Sequence, residues 1–267
     1  METFYSFIDL SSLVLVFAPL FIICVSLWFS CQAKWNVLFR DLGVPLGLCW
    51  SVLGATGMVL ITEAKAIGPA TAVMLLTITY GGLVSALGYF STFKRSEPSS
   101  QNNQQKASWQ SITLIFISFL GLLLFFASEA AGPSQVADLF INPMALAVLG
   151  TTVIAAILLS DSDHRIEVLC QASLLSAMIS LVFGLVLLYK SFSGEGINEG
   201  MYEGLKIAMN GLLYGLLSYI GLYIVSYKFG TTAKIDAPLM NWHWMEVTGF
   251  LIFMFFAPET LRESLLH

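Results

Sequence analysis

Residues 43–93 read GVPLGLCWSVLGATGMVLITEAKAIGPATAVMLLTITYGGLVSALGYFSTF, and the reading of this stretch decides the fold. It divides into two apolar runs, Gly43–Thr62 and Pro69–Thr92, separated by a six-residue turn that contains Glu63 and Lys65. Each run is as long as a bilayer core requires, about 20 residues at about 1.5 Å rise each. A proline stands near the start of each run, Pro45 and Pro69, and small or hydroxyl-bearing residues punctuate both. Gly47, Ser51, Gly54 and Thr56 mark the first run; Ala72, Thr77, Thr79 and Gly81 mark the second. Small residues let helix backbones approach closely in lipid, and hydroxyls are tolerated best against protein or water. The hairpin therefore reads as inward-facing, turned toward another polypeptide or a wet passage.

The rest of the chain has the same character. Hydrophobic residues make up 57% of its 267 positions and charged residues 11%, and its mean hydropathy is +0.81. Such a composition excludes a soluble domain and predicts an all-α, polytopic membrane protein. The net charge of −5 is spread over loops and suggests no nucleic-acid surface. The four cysteines, Cys24, Cys31, Cys49 and Cys170, lack metal-site spacing and are expected to be free buried thiols. No nucleophile triad, phosphate-binding loop, dinucleotide glycine pattern or zinc spacing is present, so neither an enzyme nor a bound cofactor is expected. No cleavable signal is expected either, since no basic region precedes the first apolar run.

Eight spans are predicted, at about 10–30, 43–62, 69–92, 109–128, 143–160, 171–190, 204–227 and 241–258. They fall into two similar halves. Residues 7–14, FIDLSSLV, return as 140–147, FINPMALA, at an offset of 133. Tyr80-Gly81 returns as Tyr214-Gly215 at an offset of 134, and residues 125–129, FFASE, return as 255–259, FFAPE, at 130. Two tandem four-helix repeats follow, residues 1–133 and 134–267, both pointing the same way through the membrane. Placing the N-terminus outside puts eight Lys and Arg residues on the inner side against four on the outer, which makes both termini extracytoplasmic.

Three segments of the first half resemble a known family. Residues 66–82, AIGPATAVMLLTITYGG, are similar to the fourth-helix signature of MotA-type stator channels, approximately AIGPAMAVALLTTLYG. Residues 45–54, PLGLCWSVLG, resemble that family's third helix, one residue shorter in spacing, and residues 7–16, FIDLSSLVLV, resemble the opening of its second. In the MotA, TolQ and ExbB family the third and fourth helices surround single-pass partner helices, one of which carries an essential aspartate. The resemblance thus implies a channel-forming subunit of the bacterial inner membrane that joins a partner of MotB, ExbD or TolR type. It would use H⁺ or Na⁺ flow for mechanical or transport work. The family's large cytoplasmic domain is missing, since Cys31–Leu42 is the whole connection, so direct rotor drive does not follow. The family's rings hold five four-helix units, a number that whole two-unit chains cannot supply.

Carried over by position, the resemblance implies an ion-pathway or partner-helix face of Pro45, Gly54, Thr56, Pro69, Ala72, Thr77, Thr79, Tyr80 and Gly81. Two readings stand for its main elements. The prolines either bend a helix beside a pathway or simply begin one. The threonine oxygens either attend a passing ion or bond their own backbone. The second half lacks the Ile-Gly-Pro run, which makes it a structural or asymmetric partner face. His243 and Glu246, three apart on the last span, form either a proton relay or an interfacial pair beside Trp242 and Trp244. Asp161, Asp163, His164 and Glu167 fit a solvated loop better than a metal cluster. Two further functions stay open, a non-conducting scaffold and a small-solute secondary transporter.

Overall fold

A computed structural model of the chain describes residues 10–58, 64–93, 106–131, 140–161, 164–191 and 199–229. The described residues are all-helical. The helices are α1 (Leu10–Cys31), α2 (Trp35–Met58), α3 (Ala64–Phe93), α4 (Trp109–Ala131), α5 (Pro143–Leu159), α6 (Arg165–Lys190) and α7 (Glu199–Phe229). Six are long and apolar enough to cross a membrane, and α5 is shorter at 17 residues. This follows from the medium: lipid offers no hydrogen bonds, so a spanning segment must satisfy its backbone internally, as a helix does. The expected eighth span, 241–258, lies outside the described residues, and His243 and Glu246 with it.

Four helices begin earlier than hydropathy predicts, by five to eight residues: α2 at Trp35, α3 at Ala64, α6 at Arg165 and α7 at Glu199. Hydropathy registers only the apolar middle, whereas a helix continues through polar turns whose side chains find partners or reach the headgroups. The largest correction concerns Cys31–Leu42, which is not a loop. The connection is only Gln32–Lys34, and Arg40 and Asp41 stand inside α2. Gln32 turns the chain with a left-handed φ of 52°, its N–H donating to the Trp28 carbonyl at 2.9 Å. That is a helix C-terminal cap of the kind glycine usually provides.

Two hairpins dominate the packing, α2 with α3 and α6 with α7, and they meet where α2 lies against α7. Those two helices form the centre: 67% of the α2 span and 72% of the α7 span is buried, against 22% for α4. Helix α1 lies over the first hairpin and α5 over the second. Tyr214 of α7 ties down the start of α5. Its hydroxyl accepts from the Asn142 N–H at 3.0 Å and donates to the Phe140 carbonyl. Asn142 then caps α5, accepting from the Ala145 N–H at 3.0 Å. Ahead of α4, the Ala107 N–H donates to the Tyr227 carbonyl at 3.2 Å and the Ser108 N–H to Ser30 Oγ at 2.7 Å.

Candidate functional site

The first hairpin is held at backbone contact by glycines. A methyl group on Gly81 would lie 2.5 Å from the Gly43 carbonyl oxygen and 2.9 Å from Gly47 Cα. One on Gly47 would lie 2.7 Å from the Thr77 carbonyl oxygen. Only residues without a side chain permit this approach, which is how helices associate in lipid without a hydrophobic drive between them. Hydroxyls stitch the same contact. Ser51 Oγ donates across the contact to the Met74 carbonyl at 3.1 Å, a carbonyl that also accepts at 2.7 Å from Thr77 Oγ1 of its own helix. Ser85 Oγ donates to the Arg40 carbonyl at 2.5 Å.

Six of the residues expected on a pathway or partner face can therefore be placed. Thr77 and Gly81 are buried against α2, and Gly54 has the Met74 side chain 3.1 Å from where its methyl would be. Pro45 is buried too, ten residues into α2 and one turn beyond Asp41 on the same face. Lacking an N–H, it leaves the Asp41 carbonyl without its helical donor. Thr79 is exposed on the opposite side of α3 from Gly81, its hydroxyl donating to the Leu75 carbonyl at 2.8 Å. Tyr80 is half-buried. Thr56, Pro69 and Ala72 fall within α2 and α3, but their side chains lie outside the described residues.

One group was not legible in the sequence. Arg40 and Asp41 form a two-pronged ion pair, Nε to Oδ1 at 2.6 Å and Nη2 to Oδ2 at 3.1 Å, inside the α2 span. Tyr223, fully buried on α7, donates to Asp41 Oδ2 at 2.6 Å. It stands in a ladder with Tyr219 and Tyr227, ring centroids 6.1 and 5.8 Å away. The carboxylate is thus bonded on both oxygens, as a charge within a membrane must be. The sequence reading placed Arg40 in a loop and gave Asp41 no role; the apolar residues Trp35, Val37, Leu38 and Phe39 just before them were the signal that the helix had already begun.

The second hairpin keeps the same kind of contact despite its altered sequence. A methyl on Gly215 would lie 2.5 Å from the Ser173 carbonyl oxygen and 3.1 Å from Ala177 Cα. One on Gly204 would lie 2.6 Å from the Leu188 nitrogen. All four cysteines are free and buried. Among the described residues no three His, Cys, Asp or Glu side chains group as metal ligands. His164 and Glu167 sit 3.4 Å apart at an exposed helix start.

The class these features define is a multi-pass helical membrane protein with two close-packed helical hairpins. Comparison with family models, with curated proteins and with solved structures gives no match.

Proposed function

We propose that this chain is a channel-forming subunit of an ion-motive-force-driven, stator-like complex in a bacterial inner membrane. It would conduct H⁺ or Na⁺ together with a single-pass partner whose helix carries a carboxylate. The observation that carries the reading is the α2–α3 hairpin. There Ser51, Thr77 and Gly81, positions within the segments that resemble the MotA, TolQ and ExbB signatures, come together at close helix contact, with Pro45 buried on the adjoining face of α2. The Arg40–Asp41 pair adds an ionisable group within the same span. Intramembrane ionisable residues are costly and commonly mark ion routes.

The reading includes two tandem four-helix repeats and periplasmic termini. What supports duplication is register. Ser173 and Ala177 follow Gly43 and Gly47 by 130 residues, Gly215 follows Gly81 by 134, and the three make the same close contact in each hairpin. Gly184 and Ala208 likewise meet as Gly54 and Met74 do, at the same two offsets. The lysine and arginine distribution supports the orientation.

One observation favours a second reading, a non-conducting scaffold. Thr77 and Thr79 each donate to a carbonyl of their own helix, so they contribute lone pairs but no free donor to a passage. Purification of the tagged chain from its native membrane, followed by co-reconstitution in vesicles carrying a pH-sensitive dye or, in parallel, a Na⁺-sensitive dye, separates the two. Capture of a single-pass protein with a carboxylate-bearing helix, and potential-driven flux that needs both proteins, supports the channel. Capture without flux under either an H⁺ or a Na⁺ gradient leaves the scaffold.

A further inference from the structure

Helix α4 is the least covered of the six spans, and its start is tied to the end of α7. The Ala107 N–H bonded to the Tyr227 carbonyl brings the backbone of Lys106, one residue earlier, close to that of Lys228, one residue later. Lys228 Nζ also stands 5.7 Å from the centre of the Trp109 ring, whose face attracts a cation. Lys106 and Trp109 are exposed and Lys228 is half-buried. Among the described residues neither lysine pairs with a carboxylate. Two uncompensated positive charges therefore lie where Trp109 opens the α4 span.

From Trp109 an open groove of about 530 Å³ runs down α4, lined by Gln110, Thr113, Leu114 and Ile117, with Ser118 closing its far end. These residues share one helical face, and Ser118 lies about 13 Å beyond Trp109 along the axis. Among the described residues the side chains of Trp109, Gln110 and Thr113 make no hydrogen bond. The exposed side of α6 is different: Leu175, Ile179, Val182, Phe183 and Val186 ask nothing of lipid beyond its acyl chains. On α4 an indole N–H, an amide and a hydroxyl stand open in a medium whose hydrocarbon offers them no partner. The polarity is graded along the groove. Two ammonium groups lie at its mouth, three donors follow within one turn, and Leu114 and Ile117 make the wall beyond.

We propose that this groove binds an anionic phospholipid, its phosphate at Lys106 and Lys228, its ester carbonyls on the donors of Gln110 and Thr113, and one acyl chain along Leu114 and Ile117. Charge and the donor set identify the occupant. Phosphate and ester oxygens accept hydrogen bonds, and each of the unbonded groups here can donate one. A zwitterionic headgroup carries a cation of its own, which two neighbouring lysines disfavour, whereas a net negative headgroup is drawn to them. A transmembrane helix bonds its own backbone and would answer neither lysine without acids at that level. The site is independent of what the chain conducts.

The test uses the full chain in phosphatidylcholine nanodiscs that contain a little phosphatidylglycerol with a photoactivated diazirine on one acyl chain. Illumination and peptide mapping are expected to label residues 113–118 several-fold more than the same diazirine carried on phosphatidylcholine. Ile117→Trp, which fills the groove, is expected to remove that labelling, and Val182→Trp on α6 to leave it. Titration of the chain with phosphatidylglycerol in detergent, followed by native mass spectrometry, gives the affinity. Lys106→Gln and Lys228→Gln are each expected to lower it about fivefold. Lys106→Arg with Lys228→Arg keeps it, because both charges remain, and so does Lys190→Gln, which removes an exposed lysine at the end of α6. Equal labelling by the two headgroups overturns the proposal. So does a loss of affinity in Lys190→Gln as large as in Lys228→Gln, which would make total charge the cause. Loss of affinity in the double arginine variant overturns it as well. A disulfide-linked dimer of Thr113→Cys would give the groove to a second copy of the chain and overturn the lipid assignment.

Discussion

The hydroxyl of Tyr223 donates a 2.6 Å hydrogen bond to Asp41 Oδ2 across 182 residues of sequence, joining the central helices of the two hairpins. Removing it in Tyr223→Phe leaves the carboxylate one donor short in a buried setting, at a cost of about 1–3 kcal/mol. Asp41→Asn costs more, because it leaves the Arg40 guanidinium without its counter-charge. The side chains of Arg40 and Asp41 are 25% and 19% exposed, which moderates the penalty through water and headgroup contact. Thermal unfolding in detergent is expected to rank Asp41→Asn below Tyr223→Phe below the parent. The double variant should fall well short of the sum, since both changes break one network.

Gly81→Ala tests the backbone contact of the first hairpin. The added methyl meets carbonyl and Cα atoms of Gly43 and Gly47, which cannot rotate aside. The helices must part, at about 1–3 kcal/mol. Gly121→Ala, where nothing lies within 4 Å, serves as the control. It is expected to be neutral or to gain up to about 1 kcal/mol from helix propensity. Equal melting temperatures for the two would remove the close contact from the account.

Tyr214→Phe severs the tie between α7 and the start of α5. The Asn142 N–H and the Phe140 carbonyl both lose their hydroxyl partner. The expected cost is about 1–3 kcal/mol. The readout that identifies the mechanism is local: hydrogen exchange should rise at the first turn of α5 and stay unchanged in α2 and α3.

Gln32→Gly relieves the one left-handed non-glycine residue among those described. The positive φ costs a side-chain-bearing residue about 1–2 kcal/mol, and glycine adopts it freely. Part of that gain is offset by the greater freedom of glycine in the unfolded chain. A small rise in melting temperature is expected. A fall would mean that the Gln32 side chain stabilises the turn in another way.

Much of this architecture could be read from composition and spacing, and the reasons are specific. Residues 10–30, 109–128 and 143–160 were placed within a few positions of α1, α4 and α5, because each is an apolar run bounded by polar residues on both sides. The prominence of Gly43, Gly47, Thr77 and Gly81 was visible as a density of small residues and hydroxyls. Their pairing was not: which glycine lies over which depends on where each helix turns its face, and that is settled by all the side chains between them.

By itself, then, the sequence determined that this chain lives in a membrane as helices, since runs of about 20 apolar residues have no other way to satisfy their backbones there. It also marked residues 43–93 as a stretch whose glycines, alanines and hydroxyls permit close helix approach, without saying against what. Only the tertiary structure decided that Arg40 and Asp41 belong inside a span. Hydropathy counts such residues as costs, and the cost is removed by a tyrosine whose position along the chain carries no trace of the meeting. Long-range hydrogen bonds in a low-dielectric setting are strong enough to draw charges into a helix.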